Sequence, residues 1–305
     1  MKRYAAIDLG TNTFHMIIVE KSHENEIKVI HRSRHFVKLA YGGFDKIDDK
    51  ALVKGLEVLK EFKSLMDRHD VDNYLAFGTS MFRRSLNGEK FAETILEKTG
   101  IKVQIIDGTC EARMIFKGAL LANALSSEYN LLMDIGGGSV EFIITDKNKI
   151  LYSKSYPIGI IELYHRFKEK EPFTDKAIEE ILLFLKAQTE DLIKNLVDYN
   201  ISTLIGTAGS FEVLHSALSD NINDHLFEVN PEDFNLLFKK VANTTYEERL
   251  SLEFIPPERK RLIVYAFLLI KHSLEITRPN VLRITSYSMK EGMIKTLLDE
   301  EECDI

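Results

Sequence analysis

Three short turns rich in glycine, threonine and serine each follow an apolar run: Gly10-Thr11-Asn12-Thr13, Gly136-Gly137-Gly138-Ser139 and Gly206-Thr207-Ala208-Gly209-Ser210. Glycine lets the backbone approach a ligand with no Cβ in the way. Successive N–H groups in such turns form concavities that suit phosphate oxygens. The hydroxyls of Thr11, Thr13, Ser139 and Ser210 would add donors. Asp8 and Asp134 stand just ahead of the first two turns. A carboxylate beside a phosphate nest repels the ligand unless a cation lies between them, which points to Mg²⁺ or another divalent ion. Glu141, shortly after Ser139 on the outgoing strand, either faces the same ligand or is an exposed strand glutamate. The plainer reading makes each turn a hairpin connection whose aspartate accepts hydrogen bonds from its own turn. Three turns, two of them matched in pattern, favour the phosphate reading.

The elements that must hold these turns follow from periodicity. Tyr4–Leu9 and Phe14–Val19 read as two strands joined by the first turn. Residues 26–39 alternate like a third strand, with Arg32, Arg34 and Lys38 on one face. That face is either solvated or able to steer a polyanion. Residues 49–69 carry apolar positions at helical spacing behind an N-cap at Asp48. A strand at 74–77, helices at 79–85 and 89–98, a strand at 103–106 and a helix at 109–125 complete an α/β lobe. Then the opening repeats. Ile7-Asp8-Leu9-Gly10-Thr11-Asn12-Thr13-Phe14 matches Met133-Asp134-Ile135-Gly136-Gly137-Gly138-Ser139-Val140 in pattern, which predicts two copies of one α/β lobe. The second lobe reads as strands at 130–134, 140–145 and 150–156, helices at 160–167 and 175–196, and a strand at 203–205. The third turn follows and opens a helix through Leu214; of the three turns it alone is expected to gain a helix dipole. A long helix to Ile276, a strand at 281–285 and a helix at 289–298 close the chain. The lobes are set at 1–122 and 123–288, with a C-terminal helix (289–302) packing back on the first.

With 305 residues, 45% of them hydrophobic and 29% charged, the chain has the composition of a globular protein. A formal charge of −7 argues against nucleic acid as the main partner. Two cysteines, Cys110 and Cys303, make no disulfide framework and suggest a reducing cytoplasm. No signal-peptide pattern opens the chain, and its longest apolar run, Leu262–Ile270, is too short to span a bilayer. A cytoplasmic protein without a membrane partner is expected. The Gly-x-x-x-x-Gly-Lys-Ser/Thr and Gly-x-Gly-x-x-Gly fingerprints are missing, as are zinc spacings and a Gly-x-Ser-x-Gly elbow. Hydrolysis would then rely on a carboxylate that activates water.

Ala6–His15, Cys110-Glu111-Ala112-Arg113 and Asp134–Phe142 together resemble the Ppx/GppA family of exopolyphosphatases and guanosine pentaphosphate phosphohydrolases, of the actin and sugar-kinase superfamily. The resemblance implies two ribonuclease-H-like lobes with mixed sheets and an active site in the cleft between them. It implies that Glu111 activates the attacking water and that Arg83, after a Thr-x-x-x-Arg turn, binds phosphate. It also assigns Asp134 and Glu141 to a divalent metal and its water, beside Asp8, which is a metal candidate from its place before the first turn, and it suggests a homodimer. Without it, Glu111 reads as a first-turn helix residue and Arg83 as part of a solvated helix face.

Cys110 replaces the first glutamate of the family's Glu-Glu-Ala-Arg stretch. The third turn departs from the family's Ala-Ser-Gly-Thr, and an Arg-Ala-Asp stretch is absent near Arg259. The extra helical domain of longer members is also missing. The expected substrate is polyphosphate, of short chain, or pppGpp. A catalytically weak nucleotide or alarmone sensor is the alternative, and a sugar kinase lacks a clear sugar-binding carboxylate.

Overall fold

The computed structural model describes residues 1–22, 27–168, 170–219 and 224–300. The chain divides into two compact units, one built from Met1–Leu121 with the segment from Ser288 onward, the other from Ala122–Tyr287.

The first unit opens with β1 (Lys2–Leu9), β2 (Thr13–Lys21) and β3 (Ile27–Phe36). Glu26, expected at the start of the third strand, lies outside the described residues. The chain continues through α1 (Asp49–Arg68), β4 (Asn73–Gly78), α2 (Ser80–Arg84), α3 (Gly88–Thr99), β5 (Gln104–Ile105) and α4 (Gly108–Leu121). The five-stranded sheet runs β3-β2-β1-β4-β5. Its first three strands pair antiparallel, and β4 and β5 join parallel. β1 has neighbours on both sides, and Ala5, Ala6 and Ile7 are wholly buried, the continuous apolar run of a central strand. Asp48 caps α1 by accepting the Ala51 N–H at 2.8 Å. That helix lays Val58, Leu59, Phe62 and Met66 into the core.

The second unit repeats this order. Its strands are β6 (Tyr129–Ile135), β7 (Val140–Thr145), β8 (Ile150–Tyr156), β9 (Ile201–Thr207), β10 (Leu226–Val229) and β11 (Val281–Thr285). The six-stranded sheet runs β10-β11-β9-β6-β7-β8. Read from β8, it reproduces the first sheet strand for strand and adds β10, antiparallel, on the edge. This is the ribonuclease-H-like order, present twice. The helices are α5 (Ile160–Phe167), α6 (Asp175–Gln188), α7 (Glu190–Leu196), α8 (Gly209–Leu218), α9 (Pro231–Ala242), α10 (Tyr246–Arg249) and α11 (Ile263–Thr277). A 3₁₀ turn at Pro257–Arg259 leads into α11, which is buried on nearly all faces from Ile263 to Ile270. None of the described helices is long and apolar enough to cross a membrane.

The single helix expected over 175–196 is two. It breaks at Thr189 (φ −112°, ψ 23°), whose Oγ1 donates to Leu185 O at 2.9 Å and meets His272 Nε2 of α11 at 2.8 Å. β10, α9 and α10 fill a stretch from which sequence periodicity yields no element.

The last helix, α12 (Met289–Leu298), belongs to the first unit and packs on α4. Residues 301 and 302 of the expected longer helix lie outside the described residues. The two helices cross at glycines: a Cβ at Gly118 would strike Ser288 O, and one at Gly292 would strike Met114 O. Backbones this close leave no room for a side chain.

Candidate active site

In a parallel pair within an open α/β sheet, ligands gather at the carboxyl ends of the strands, where N–H groups of turns and helices converge. Each unit has such a pair. In the first, Leu9 of β1 lies in register with Gly78 of β4, and Thr79 N–H donates to Leu9 O at 3.3 Å. The first turn and the Gly78-Thr79-Ser80 turn are therefore neighbours. In the second, Asp134 of β6 lies in register with Thr207 of β9, and Thr207 Oγ1 donates to Asp134 Oδ2 at 2.8 Å. The second and third turns stand side by side there.

The first two turns close alike. Gly10 N–H donates to Thr13 O at 3.1 Å, and Gly136 N–H to Ser139 O at 3.0 Å. Two further carbonyls of each are tied down. Thr11 O accepts from Leu39 N–H, and Asn12 O from the N–H groups of Val37 and Lys38. Gly136 O and Gly137 O accept from Ile160 and Ile161 at the start of α5. A trans peptide points its N–H opposite its C=O. The N–H groups of Asn12 and Thr13 therefore aim away from the 37–39 segment, and those of Gly137 and Gly138 away from α5. The second turn thus meets a helix N-terminus, although the sequence suggested this for the third alone. The contact comes from a helix beyond the next two strands and leaves no local signal.

At the third turn Ala208 has φ +68° and ψ 176°, a region that is essentially glycine-only. Its carbonyl starts α8, accepting from Phe211 at 3.1 Å. Over Gly209 lies the guanidinium of Arg259: a Cβ at Gly209 would overlap its Cζ and both terminal nitrogens. Arg259 also approaches Glu212, Nη2 to Oε2 at 3.8 Å. Arg259 is the residue that sequence reasoning missed here. Its stretch was read for a missing motif, not for the side chain present. The Gly78-Thr79-Ser80 turn was read only for the Arg83 that follows it, although Gly206-Thr207-Ala208 repeats it in the second unit.

Glu111 sits in the first turn of α4 and is 7% exposed. Asp107 caps that helix, accepting Cys110 N–H at 2.7 Å. Arg83 of α2 reaches across with Nη1, donating to Glu111 Oε2 at 2.8 Å and to Ile106 O at 2.8 Å. Two residues separated in sequence thus form an ion pair with a fixed orientation. Cys110, beside Glu111, is buried; Cys303 lies outside the described residues.

Asp134 and Glu141 are direct cross-strand partners on β6 and β7, so their side chains share a face. Like charges placed so are unfavourable unless compensated. Thr207 supplies one hydroxyl donor to Asp134, and Ser155 Oγ donates to Glu141 Oε1 at 2.7 Å. Asp8, at the equivalent place in the first unit, faces His15 instead. Among the described residues no group of three or more His, Cys, Asp or Glu side chains is disposed to hold a metal. A hard divalent cation such as Mg²⁺ commonly takes one or two carboxylates and completes its shell with water and phosphate, so the Asp134–Glu141 pair fits one.

On the expected basic strand face, Arg32 is engaged by the buried Glu291 of α12, Nη1 to Oε1 at 3.0 Å. Lys38 lies beyond β3 at φ +58°.

The sequence pattern of the Ppx/GppA phosphatase family matches residues 17–301. The chain is 32% identical to an exopolyphosphatase of Cytophaga hutchinsonii of known crystal structure, over 99% of each chain, with a TM-score of 0.93. A crystal structure of the Aquifex aeolicus member of the Ppx/GppA family is 22% identical over 99% of each chain, with a TM-score of 0.84, which speaks for the fold. A guanosine-5'-triphosphate,3'-diphosphate pyrophosphatase of Aliivibrio fischeri is 23% identical over 99% of this chain. The chain spans 60% of that relative's length.

Proposed function

The chain belongs to the Ppx/GppA phosphatase family, and we propose that it releases terminal phosphate from inorganic polyphosphate or pppGpp by attack of water. The observation that carries this reading is the pair of turns closed by the same hydrogen bond. In both, two successive carbonyls are tied back, so the N–H groups of the same two peptides point the opposite way. Such N–H groups suit the oxygens of a phosphate chain. Thr11, Asn12 and Thr13 form one cradle, and Gly136, Gly137, Gly138 and Ser139 another. Gly206, Ala208, Gly209 and Ser210 form a third beside it, with Arg259 above.

Glu111 accepts the proton of the attacking water. Arg83 fixes the carboxylate through Nη1, and through its other nitrogens it offsets charge that develops on the transferred phosphoryl group. Asp134 and Glu141, cross-strand partners on β6 and β7, would hold a divalent cation; Asp8 is the corresponding carboxylate of the first unit. When bound, the cation neutralises charge on the phosphate oxygens and orients them. Both polyphosphate and pppGpp end in a phosphoanhydride, and the reading rests on that shared group.

The test is phosphate release with Mg²⁺ from polyphosphates of defined length, pppGpp and ATP, comparing wild type with Glu111→Gln. Loss of the base should lower the rate by about 10²–10⁴-fold, and the preferred substrate then identifies the subclass. Binding without release in wild type would sink the hydrolase reading in favour of a sensor.

A further inference from the structure

Arg249 is wholly buried and takes no part in the chemistry described above. Its Nε donates to Lys260 O at 2.8 Å, Nη1 to Thr244 O at 2.7 Å, and Nη2 to Glu171, with which it forms an ion pair. One guanidinium thus joins three separate segments: the loop before α6, the turn before α10, and the residue after Arg259. Stability alone accounts poorly for it, because apolar residues of similar volume often replace a buried ion pair without loss.

The segment it holds is otherwise short and stiff. Pro256 and Pro257 precede Arg259, whose own N–H donates to Pro256 O at 2.9 Å and whose carbonyl accepts from Leu262 N–H at 3.0 Å. With Lys260 O fixed by Arg249, the backbone on both sides of Arg259 is set. Its guanidinium then rests on Gly209 at the start of α8. A cation at a helix N-terminus is unfavourable by itself, since that end of the dipole attracts anions. Glu212 in the first turn of α8 offsets part of that cost, with Oε2 3.8 Å from Nη2, and an anion bound at the turn would offset more.

We propose that Arg249, anchored by Glu171, is a positioning residue: through the Lys260 carbonyl it holds Arg259 over the third turn, so that both address the same phosphate oxygens. This rests on the reading of that turn as a phosphate cradle.

The experiment is calorimetric binding of inorganic tripolyphosphate to the full chain. Wild type is compared with R259A, R249M, E171Q and the double variant R249M/R259A, with the melting temperature of each recorded. Loss of a charge-assisted contact should weaken binding by about 10- to 100-fold in R259A. R249M should lose a similar factor, and the double variant should bind no more weakly than R259A, since Arg249 acts only through Arg259. E171Q should weaken binding by a smaller factor that vanishes when Arg259 is already alanine; it carries the test if R249M does not fold. A purely structural Arg249 would lower the melting temperature and leave tripolyphosphate affinity at its wild-type value. That result, losses that multiply in the double variant, or no binding by wild type would overturn the proposal. Turnover separates this from the hydrolase reading. Wild type that binds tripolyphosphate yet releases no phosphate defeats hydrolysis alone. Hydrolysis with an unchanged KM in R249M defeats the positioning role alone.

Discussion

At the scale of single residues, Ala208 exposes the tension between backbone and side chain most clearly. Its conformation suits glycine, and a methyl group there costs on the order of 1–3 kcal/mol. Ala208→Gly should therefore raise stability by about 1 kcal/mol, after the entropy that glycine loses on folding. Chemical denaturation reads this as a higher midpoint at unchanged slope, and a lower midpoint would mean that Ala208 is unstrained. The strain was invisible in the sequence, where Gly-Thr-Ala-Gly-Ser shows small residues but not which one carries the positive φ. The aspartates and the first two turns were legible because the Asp-x-Gly pattern occurs twice. Glu111 was not legible from its surroundings. A glutamate in a first helical turn is commonplace, and its partner Arg83 lies on another helix. Only the resemblance to a known family selected the pair.

Among elements, the break between α6 and α7 is held by one hydrogen bond to a buried imidazole. Burial pushes the His272 pKa down from 6.5 to about 4, with the charge of Lys186 adding to the effect. With the Thr189 hydrogen given to Leu185 O, His272 donates from Nε2 and stays neutral in the fold. The unfolded chain takes up a proton near pH 6.5 and the folded one only near pH 4. Stability is therefore complete above 6.5 and falls through that window, by about 2–3 kcal/mol for this one group. His272→Gln should start lower at pH 7 and lose less between pH 6.5 and 4 in urea titrations. Parallel curves for the two proteins would show that another group governs the acid limb. The break itself could not be read from the sequence, since residues 175–196 keep helical spacing on both sides of Thr189. The edge strand β10 is similarly faint: Leu226–Val229 offers only four residues, half-buried and next to a charged helix start.

On the scale of the whole molecule, the doubled strand order follows from a repeat that the sequence announces at its start and near its middle. The path of the chain is asymmetric nonetheless. The second unit is one continuous segment, Ala122–Tyr287, whereas the first needs α12 from the far end. A fragment of residues 122–287 should unfold cooperatively in urea, as a unit with its own core does. A fragment of residues 1–121 should not, because the face of α4 that carries Met114 and Gly118 lacks its cover. Fusing residues 288–300 to that fragment should restore a cooperative transition by circular dichroism. Equal cooperativity of 1–121 with and without the helix would show that α12 is dispensable to the first core.

The crossing of α4 and α12 at Gly118 and Gly292 also bears on how the chain is made. At a ribosomal pace of about 5–20 residues per second, α12 follows Leu121 after an interval on the order of ten seconds or more. Throughout that interval the nascent first unit carries an uncovered apolar helix face, while the later unit is completed before the earlier one. A newly made chain is therefore most open to aggregation, and most in need of a chaperone, in its amino-terminal half.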